Sequence, residues 1–313
     1  MTKVGFRNVD GILLLDKPPG ISSNHALQRV RRALRAAKAG HTGNLDVAAS
    51  GLLPLCLGEA TKVCGFLLDA DKRYQARVAF GAETSTGDRE GEVIFESGFP
   101  PPDTAAITSA LAALQGEQWQ VPPMYSALKR QGQPLYRLAR QGLEVEREPR
   151  RVTLYGLDLL WHEGPEALID VRCSKGTYVR SLAVDLGRLL GCGAHLADLR
   201  RLEAGPYELT RAHPLALFES GEHPPEVLDE LLLPADSALP VLPALELAAD
   251  AARRISLGQR VCAPIGDGVA PGLRRLYAPS GRFMGVGEVE SDGSLRPRRL
   301  MAVSEASKTA ESR

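Results

Sequence analysis

The sequence lacks the features of a disulfide-stabilised, zinc-binding or membrane-inserted chain. Its five cysteines form an odd count and none are spaced as C-x-x-C, which argues against a disulfide framework and against a zinc site. No apolar run is long enough to cross a bilayer, and the first residues show no signal-peptide core. The sequence therefore predicts a soluble protein of the reducing cytoplasm, with no membrane partner.

The sequence also has no excess of charge, since 38 lysines and arginines balance 38 aspartates and glutamates. Nucleic-acid-binding proteins usually carry an excess of basic residues, so a net charge of zero argues against nucleic-acid binding. The charges are unevenly placed, however: six basic residues, counting His25, and no acidic one fall in residues 22–40. A local basic face is enough to attract phosphates, and we prefer that interpretation to a merely solvated helix face.

The length of 313 residues favours one large domain followed by a smaller one. Residues 218–250 are acidic and rich in proline, which predicts a peripheral helix and a linker. Residues 255–300 contain short apolar runs that are separated by glycine, proline and Asp-Gly turns. This pattern is typical of a small β-barrel. We place the domains at 8–248 and 249–303, with a disordered tail at 304–313.

The apolar periodicity predicts alternating strands and helices along the large domain. Tyr74, Ala76, Val78 and Phe80 alternate with polar residues, so Tyr74 falls on the buried face of a strand, where a core tyrosine is the simplest interpretation. Predicted strands also include 11–15, 52–57 and 167–173, and predicted helices include 22–38, 60–68 and 104–114.

A further helix is predicted to start near Thr177 and to end at Gly191, with Leu189 on its apolar stripe. Arg180 lies in its first turn and off that stripe. The positive end of the helix dipole gives a cation no stabilisation there, so Arg180 is expected to have a specific anionic partner.

Residues 121–151 interleave tyrosines with lysines and arginines, which suits a surface that contacts RNA through charge and ring stacking. Residues 40–46, with the sequence GHTGNLD, place a single acid between glycine-rich flanks. Considered alone, that stretch predicts a polar turn before a buried strand.

The GHTGNLD stretch, followed by ASGLLP, resembles the catalytic loop of the pseudouridine synthase B (TruB) family, which acts on transfer RNA. Further segments match the motifs of that family in the same order; they are 11–24, 57–62, 71–74, 123–129, 173–180 and 191–196. The carboxyl-terminal region is similar to the RNA-binding PUA domain of the bacterial, stand-alone members.

The resemblance implies an α+β fold, with a mixed, largely antiparallel sheet flanked by helices, and a small PUA-like β-barrel. It implies isomerisation of the T-loop uridine of tRNA (position 55 in tRNA numbering) to pseudouridine, with base flipping, no cofactor, no metal and no obligate protein partner. It also implies roles for single residues: Asp46 as the nucleophile, Tyr74 stacked on the flipped base, Tyr178 and Leu199 lining the pocket, His41 contacting the RNA loop, and Arg180 paired with Asp46.

Three positions of the loop depart from the family pattern. Val47 stands where proline is common, Ala48 replaces a larger apolar residue, and Asn44 replaces a smaller one. Losing proline frees one backbone dihedral, which affects loop rigidity rather than the choice of nucleophile.

Two other functions compete with this one: a non-catalytic protein that binds or folds tRNA, and a guide-RNA-dependent synthase of related fold. The sequence also leaves open the chemical route, which is attack on the sugar, attack on the base, or elimination.

Overall fold

The structure, a computed structural model, describes residues 5–126, 128–130, 132–263 and 270–302. Its α-helices are α1 (Ser23–Ala33), α2 (Cys64–Leu68), α3 (Thr104–Leu114), α4 (Leu135–Arg140), α5 (Val179–Leu189), α6 (Pro225–Leu228) and α7 (Ala249–Ser256). Short 3-10 helices span Gly58–Lys62, Leu209–Arg211, Leu215–Phe218, Asp229–Leu231 and Ala235–Ala238. The predicted tail at 304–313 lies outside the described residues.

The strands are numbered in chain order. The first ten are β1 (Gly11–Lys17), β2 (Ala39–His41), β3 (Ser50–Leu57), β4 (Lys72–Phe80), β5 (Ala82–Thr84), β6 (Val93–Glu96), β7 (Gly116–Gln120), β8 (Lys129–Arg130), β9 (Gln133–Pro134) and β10 (Arg150–Glu163). The others are β11 (Glu166–Cys173), β12 (Ala194–Ala204), β13 (Tyr207–Glu208), β14 (His213–Pro214), β15 (Ala244–Glu246), β16 (Val261–Cys262), β17 (Gly272–Tyr277), β18 (Phe283–Val289) and β19 (Ser294–Leu300).

One large sheet dominates the first 214 residues. Its strand order is β14-β1-β3-β12-β4-β11-β10-β7, with β2 added to β3 and β13 to β12. Two of its pairs, β1 with β14 and β3 with β12, are parallel, and the others are antiparallel. The predicted mixed, largely antiparallel sheet is confirmed.

The sheet is buried on both faces where β1 and β3 run. Leu13 and Leu15 of β1 belong to the core cluster that includes the apolar faces of α1, α3 and α5. Ile12 and Leu14 belong to a second cluster on the opposite face. Burial on both sides explains why β1 reads as a continuous apolar run instead of an alternating one.

The carboxyl-terminal region forms a second sheet with its own core. Its strand order is β15-β17-β18-β19-β16, and α7 packs against it through Ile255. Val286 of this sheet also packs into the second cluster of the large sheet, and Lys62 donates to the Leu300 carbonyl at 2.8 Å. The second sheet agrees with the predicted PUA-like module, while the domain boundaries at 248 and 303 stay a prediction.

Some predicted elements differ from the structure. Helix α1 ends at Ala33 instead of residue 38, because Arg35 has a positive φ of 51° and the Arg31 guanidinium donates to the carbonyls of Ala36 and Ala37. Leu189 is 54% exposed, so it is not part of the buried stripe of α5. Residues 218–250 hold several short helices where one helix and a linker were predicted.

Gly51 is a residue whose replacement we expect to destabilise the fold strongly. It pairs with Arg201 where β3 runs parallel to β12, and its φ is 100°. A Cβ at this position would lie 2.3 Å from the Arg201 carbonyl oxygen. We expect Gly51→Ala to lower the free energy of unfolding by about 4 kcal/mol or more, measured by chemical denaturation.

The matched control is Gly20→Ala. Gly20 also has a positive φ, of 82°, but no atom lies within 4 Å of the Cβ that alanine would add. Alanine at this position would only have to adopt a positive φ, so we expect Gly20→Ala to lower the free energy of unfolding by about 1–2 kcal/mol. Equal losses for the two variants would show that the close approach of β3 and β12 does not matter.

Candidate active site

Residues 42–49 form a loop that connects the antiparallel strands β2 and β3. His41 of β2 pairs with Leu55, so the loop leaves the sheet beside β12. Thr42 is fully buried, and both its amide and its hydroxyl donate to the Pro54 carbonyl, at 3.1 and 3.3 Å. The start of the loop is therefore fixed to β3.

The loop is also fixed to the first residue of α1. The buried hydroxyl of Ser23 accepts a hydrogen bond from the Leu45 amide at 2.8 Å and donates to the Leu45 carbonyl at 3.0 Å. After the acid, the Ala49 amide donates to the Asp46 carbonyl at 3.2 Å. These bonds hold the backbone on both sides of Asp46 without the proline that is common at position 47.

Asp46 forms an ion pair with a buried arginine. Arg180 Nε lies 3.0 Å from Asp46 Oδ2, and Arg180 Nη1 lies 3.5 Å from Asp88 Oδ2. The guanidinium also donates to the carbonyls of Thr86 and Tyr125, at 3.1 and 2.7 Å. Arg180 thus has the anionic partner expected from its place in the first turn of α5, and it has a second one that the sequence did not predict.

The pKa of Asp46 is raised above its ordinary value. Burial is the largest cause and Asp88 adds to it, whereas Arg180 and Lys17 act in the opposite direction. The carboxylate still keeps 43% of its side-chain surface accessible, on the side that faces a cavity. The arginine therefore limits the rise in pKa but does not reverse it.

Lys17 is a second cation behind the loop. It is the last residue of β1, two positions beyond the strand predicted at 11–15, and is 0% exposed. Its ammonium donates to the carbonyls of Ile21 and Pro18, at 2.7 and 2.9 Å. Burial lowers its pKa to about 8, against the attraction of Asp46.

A cavity of about 230 Å³ brings together most of the residues predicted for the site. Asp46, Tyr74, Tyr178, Arg180 and Leu199 all line it. Tyr74 lies on the central strand β4, almost fully buried, and its hydroxyl has its pKa raised by burial. The interpretations of Tyr74 as a core residue and as a pocket residue are therefore compatible.

Tyr178 is held at the start of α5 by a buried glutamine that the sequence did not single out. Gln120 Oε1 accepts from the Tyr178 amide at 2.7 Å, and Gln120 Nε2 donates to the Tyr178 carbonyl at 3.0 Å. Tyr178 itself is the N-cap residue, and the Thr177 hydroxyl donates to the Ser174 carbonyl at 2.9 Å. The helix therefore begins beside Thr177, as predicted, while the Thr177 hydroxyl closes the preceding turn.

His41 is the predicted site residue that does not line this cavity. Its ring is half-buried on β2, and its Nδ1 has no hydrogen-bond partner among the described residues. Burial and the nearby Arg201 lower its pKa, so the ring is neutral at pH 7.

The predicted RNA-contacting segment at 121–151 reaches the same cavity at Ser126. Arg147 donates to the Pro122 carbonyl at 3.2 Å, which ties the two ends of the segment together. The Arg140 guanidinium lies 5.7 Å from the centre of the Tyr136 ring in α4. Residues 127 and 131 of this segment lie outside the described residues, and its contact with RNA stays a prediction.

The raised pKa of Asp46 predicts an acid limb in the pH dependence of any reaction that needs the ionised carboxylate. We expect the rate to fall as the pH drops through this pKa, which lies above the ordinary value for an aspartate. A single-turnover pH profile measures this acid limb, and a limb at or below the ordinary pKa of an aspartate would contradict the raised pKa of Asp46.

The raised pKa of Asp46 also links the stability of the fold to pH. Because the folded-state pKa exceeds the unfolded one, protonation favours the fold, and that contribution is lost as the pH rises through the folded value. At pH 7 we therefore expect Asp46→Asn to be no less stable than the wild type in thermal unfolding.

The described residues offer neither a candidate metal site nor a candidate membrane span. They contain no cluster of three or more histidine, cysteine, aspartate or glutamate side chains that could hold a metal ion. Nor does any helix in the described ranges have the length and apolar character needed to span a membrane.

Structural neighbours support the fold. A structure of an H/ACA RNP bound to a substrate RNA containing 2′-deoxyuridine superposes with a TM-score of 0.70, at 24% identity, over 94% of this chain and 86% of its own. The archaeal box H/ACA Nop10–Cbf5 complex gives a TM-score of 0.70 at 23% identity, over 95% of this chain and 88% of its own. At these identities the likeness concerns the fold alone, and it confirms the predicted fold class.

Sequence relatives are much more similar. The tRNA pseudouridine synthase B of Aromatoleum aromaticum is 54% identical, with 95% of this chain and 94% of the relative covered. The enzymes of the same name from Chromohalobacter salexigens and Pseudomonas aeruginosa are 51% and 52% identical, each over 94% of this chain and over 94% and 97% of their own.

Three family models together cover most of the chain. Residues 31–179 match the TruB family pseudouridylate synthase N-terminal domain, residues 180–240 match the tRNA pseudouridylate synthase B C-terminal domain, and residues 243–301 match the C-terminal region of pseudouridine synthase II TruB. The chain belongs to the TruB family of pseudouridine synthases.

Proposed function

We propose that this protein isomerises the T-loop uridine of tRNA, at position 55, to pseudouridine, with Asp46 as the nucleophile and without a cofactor. Membership of the TruB family supports the conversion of uridine to pseudouridine in tRNA. The observation that carries the assignment of the residues is the Asp46 carboxylate, which reaches the cavity while Arg180 holds it at 3.0 Å.

The reaction needs a group that can act on the sugar or the base. The N1–C1′ bond is broken, the base is turned, C5 is joined to C1′, and C5 loses a proton. A carboxylate can attack the sugar, attack the base or remove the proton on C2′, in the way that glycosidases use acids. No group is transferred and no hydride is gained, so the reaction itself requires no redox or carrier cofactor.

The target uridine has to leave the base stack to reach Asp46. A flipped base needs apolar and aromatic walls, and Tyr74, Tyr178 and Leu199 provide them in the cavity. We assign stacking on the base to Tyr74 and the lining of the pocket to the other two. His41 lies outside the cavity, on the strand that leads into the catalytic loop, which suits the contact with the RNA loop that we assign to it.

The proposed partner is the T-arm stem and loop, and the proposed location is the cytoplasm. The segment at 121–151 and the basic residues of α1 would contact the phosphates. Within α1, Arg29 pairs with Glu219 and Arg31 donates to backbone carbonyls, while Arg32 stays exposed. A protein that binds phosphates through lysines and arginines loses affinity for RNA steeply as the salt concentration rises.

The protein alone, incubated with a T-arm RNA that carries tritium at uridine C5, tests this proposal. We expect tritium to be released to water up to one equivalent per target uridine. The control RNA has cytidine at the target position and should release none. If the purified wild-type protein binds the RNA but releases no tritium, the protein is a non-catalytic binder; if release requires an added guide RNA, it is a guide-dependent synthase.

A further inference from the structure

Arg201 is the largest fully buried side chain in the described part of the chain. It lies on β12, is 1% exposed, and lines the cavity that contains Asp46. Its Nε donates to the Leu52 carbonyl at 2.6 Å and its Nη2 to the Gly43 carbonyl at 3.4 Å. Tyr74 lines the same cavity, and the charge of Arg201 acts to lower the pKa of its hydroxyl, against the larger effect of burial. The two hydrogen bonds hold the guanidinium in place beside the catalytic loop.

The charge of Arg201 has no counter-ion among the residues that the structure describes. None of the described carboxylates forms an ion pair with it, whereas Arg180 contacts both Asp46 and Asp88. Its charged neighbours include Lys17 and Lys72, whose pKa values it lowers. Burying a guanidinium among cations is unfavourable, since it loses its hydration and gains repulsion. An anion that arrives with the substrate would remove that penalty.

The proposed reaction generates such an anion, whichever route it takes. When the N1–C1′ bond breaks, its electron pair stays with the uracil ring and spreads from N1 onto O2 and O4. If the carboxylate adds to C6 instead, the electron pair of the C5–C6 double bond moves toward O4. In both cases the ring later gives a pair to the new C5–C1′ bond, C5 releases its proton to solvent, and N1 takes up one.

We propose that Arg201 is a further catalytic residue, whose guanidinium contacts the target uracil and stabilises the negative charge that develops on its oxygens. This inference rests on the proposed function. Asp46, Tyr74 and Arg201 line one cavity, so a base stacked on Tyr74 and within reach of Asp46 lies beside the guanidinium. Removing one donor that stabilises a developing anion typically slows a reaction by about 10²–10³-fold.

The first test compares Arg201→Met, which removes the charge, with Arg201→Lys, which keeps it. Under single turnover with saturating enzyme, we expect the Met variant to react about 10²–10³-fold more slowly than wild type, and the Lys variant to recover at least about tenfold of that loss. The dissociation constant for the T-arm RNA should change by less than about threefold. Equal rates for the Lys and Met variants would overturn the proposal, because charge would then not matter.

The matched control is Arg77→Met on β4. Arg77 alternates with the inward-facing Ala76 and Val78, so its side chain lies on the opposite face of the sheet from Tyr74, where it pairs with Glu166 at 3.5 Å. We expect this variant to retain the wild-type rate. A comparable loss of rate in Arg77→Met would show that removing any arginine from the sheet slows the reaction. That result would overturn the proposal.

A second test is independent of how much of each variant folds. Fluorine at C5 of the target uridine makes N1 of the base more acidic, so the ring carries negative charge more easily and needs Arg201 less. We expect the ratio of wild-type to Arg201→Met rates, measured as consumption of the target nucleotide, to be at least about tenfold smaller for 5-fluorouridine RNA than for uridine RNA. Loss of folded protein would lower both rates equally, so an unchanged ratio would overturn the proposal.

The two proposals fail in different ways. If the wild-type protein isomerises uridine but the ratio does not change, only the role of Arg201 is wrong. If the wild-type protein consumes neither RNA, the proposed function itself is wrong.

Discussion

Replacing Asp46 by asparagine is expected to abolish tritium release from uridine C5, with a loss of about 10⁴-fold or more, the size seen when a covalent nucleophile is removed. Asparagine keeps the shape of the side chain but cannot supply the negative charge that attacks the substrate. Single-turnover rates with C5-tritiated T-arm RNA measure the loss. Undiminished release by the variant would show that Asp46 is not the nucleophile.

Binding of the same RNA provides the control for this substitution. The phosphate contacts that we propose lie outside the cavity, so the dissociation constant of Asp46→Asn should stay within about threefold of wild type, with the same salt dependence. A large loss of affinity with an intact rate at saturation would assign Asp46 to binding instead of chemistry.

Replacing Arg180 by lysine is expected to cause the second largest loss. The guanidinium contacts Asp46, Asp88 and the carbonyls of Thr86 and Tyr125, and a single ammonium cannot satisfy all four. The repulsion between the Asp46 and Asp88 carboxylates would then be compensated less well. We expect a decrease of about 10²–10³-fold in the single-turnover rate.

The pH profile separates this role from simple destabilisation. Since Arg180 lowers the pKa of Asp46, its loss should move the acid limb to higher pH. Arg188→Lys is the matched control on the same helix, because Arg188 pairs with Glu83, away from Asp46. An unmoved limb in Arg180→Lys, or a limb moved equally in Arg188→Lys, would contradict the role assigned to Arg180.

Much of the fold could be predicted from local sequence patterns. The alternation from Tyr74 to Phe80 gave the central strand and its buried face, and α3 spans the predicted residues, with Asp103 capping it. The end of α1 could not be predicted, because the Arg31 side chain folds back onto the carbonyls after the helix. The 14-residue strand β10 was not predicted either, since only four of its residues are buried and it lacks a clear alternation.

The site was less predictable from the residues alone. Asp46 stands in a stretch that reads as a polar turn, and only the resemblance to a known family singled it out. Lys17, Asp88 and Arg201 were missed because their importance arises from contacts between strands and loops distant in sequence. For Arg201 the sequence offers no distinguishing signal, because Asp198, Arg200 and Glu203 of the same strand are charged as well.

The most direct measurement maps pseudouridine in a full-length, unmodified tRNA transcript after incubation with the purified protein alone. Carbodiimide labelling followed by reverse transcription locates each product at single-nucleotide resolution. We predict one new pseudouridine, at the T-loop uridine, for the wild type and none for Asp46→Asn. Pseudouridine at other positions only, or the same product from Asp46→Asn, would contradict the assignment of a T-loop synthase that acts through Asp46.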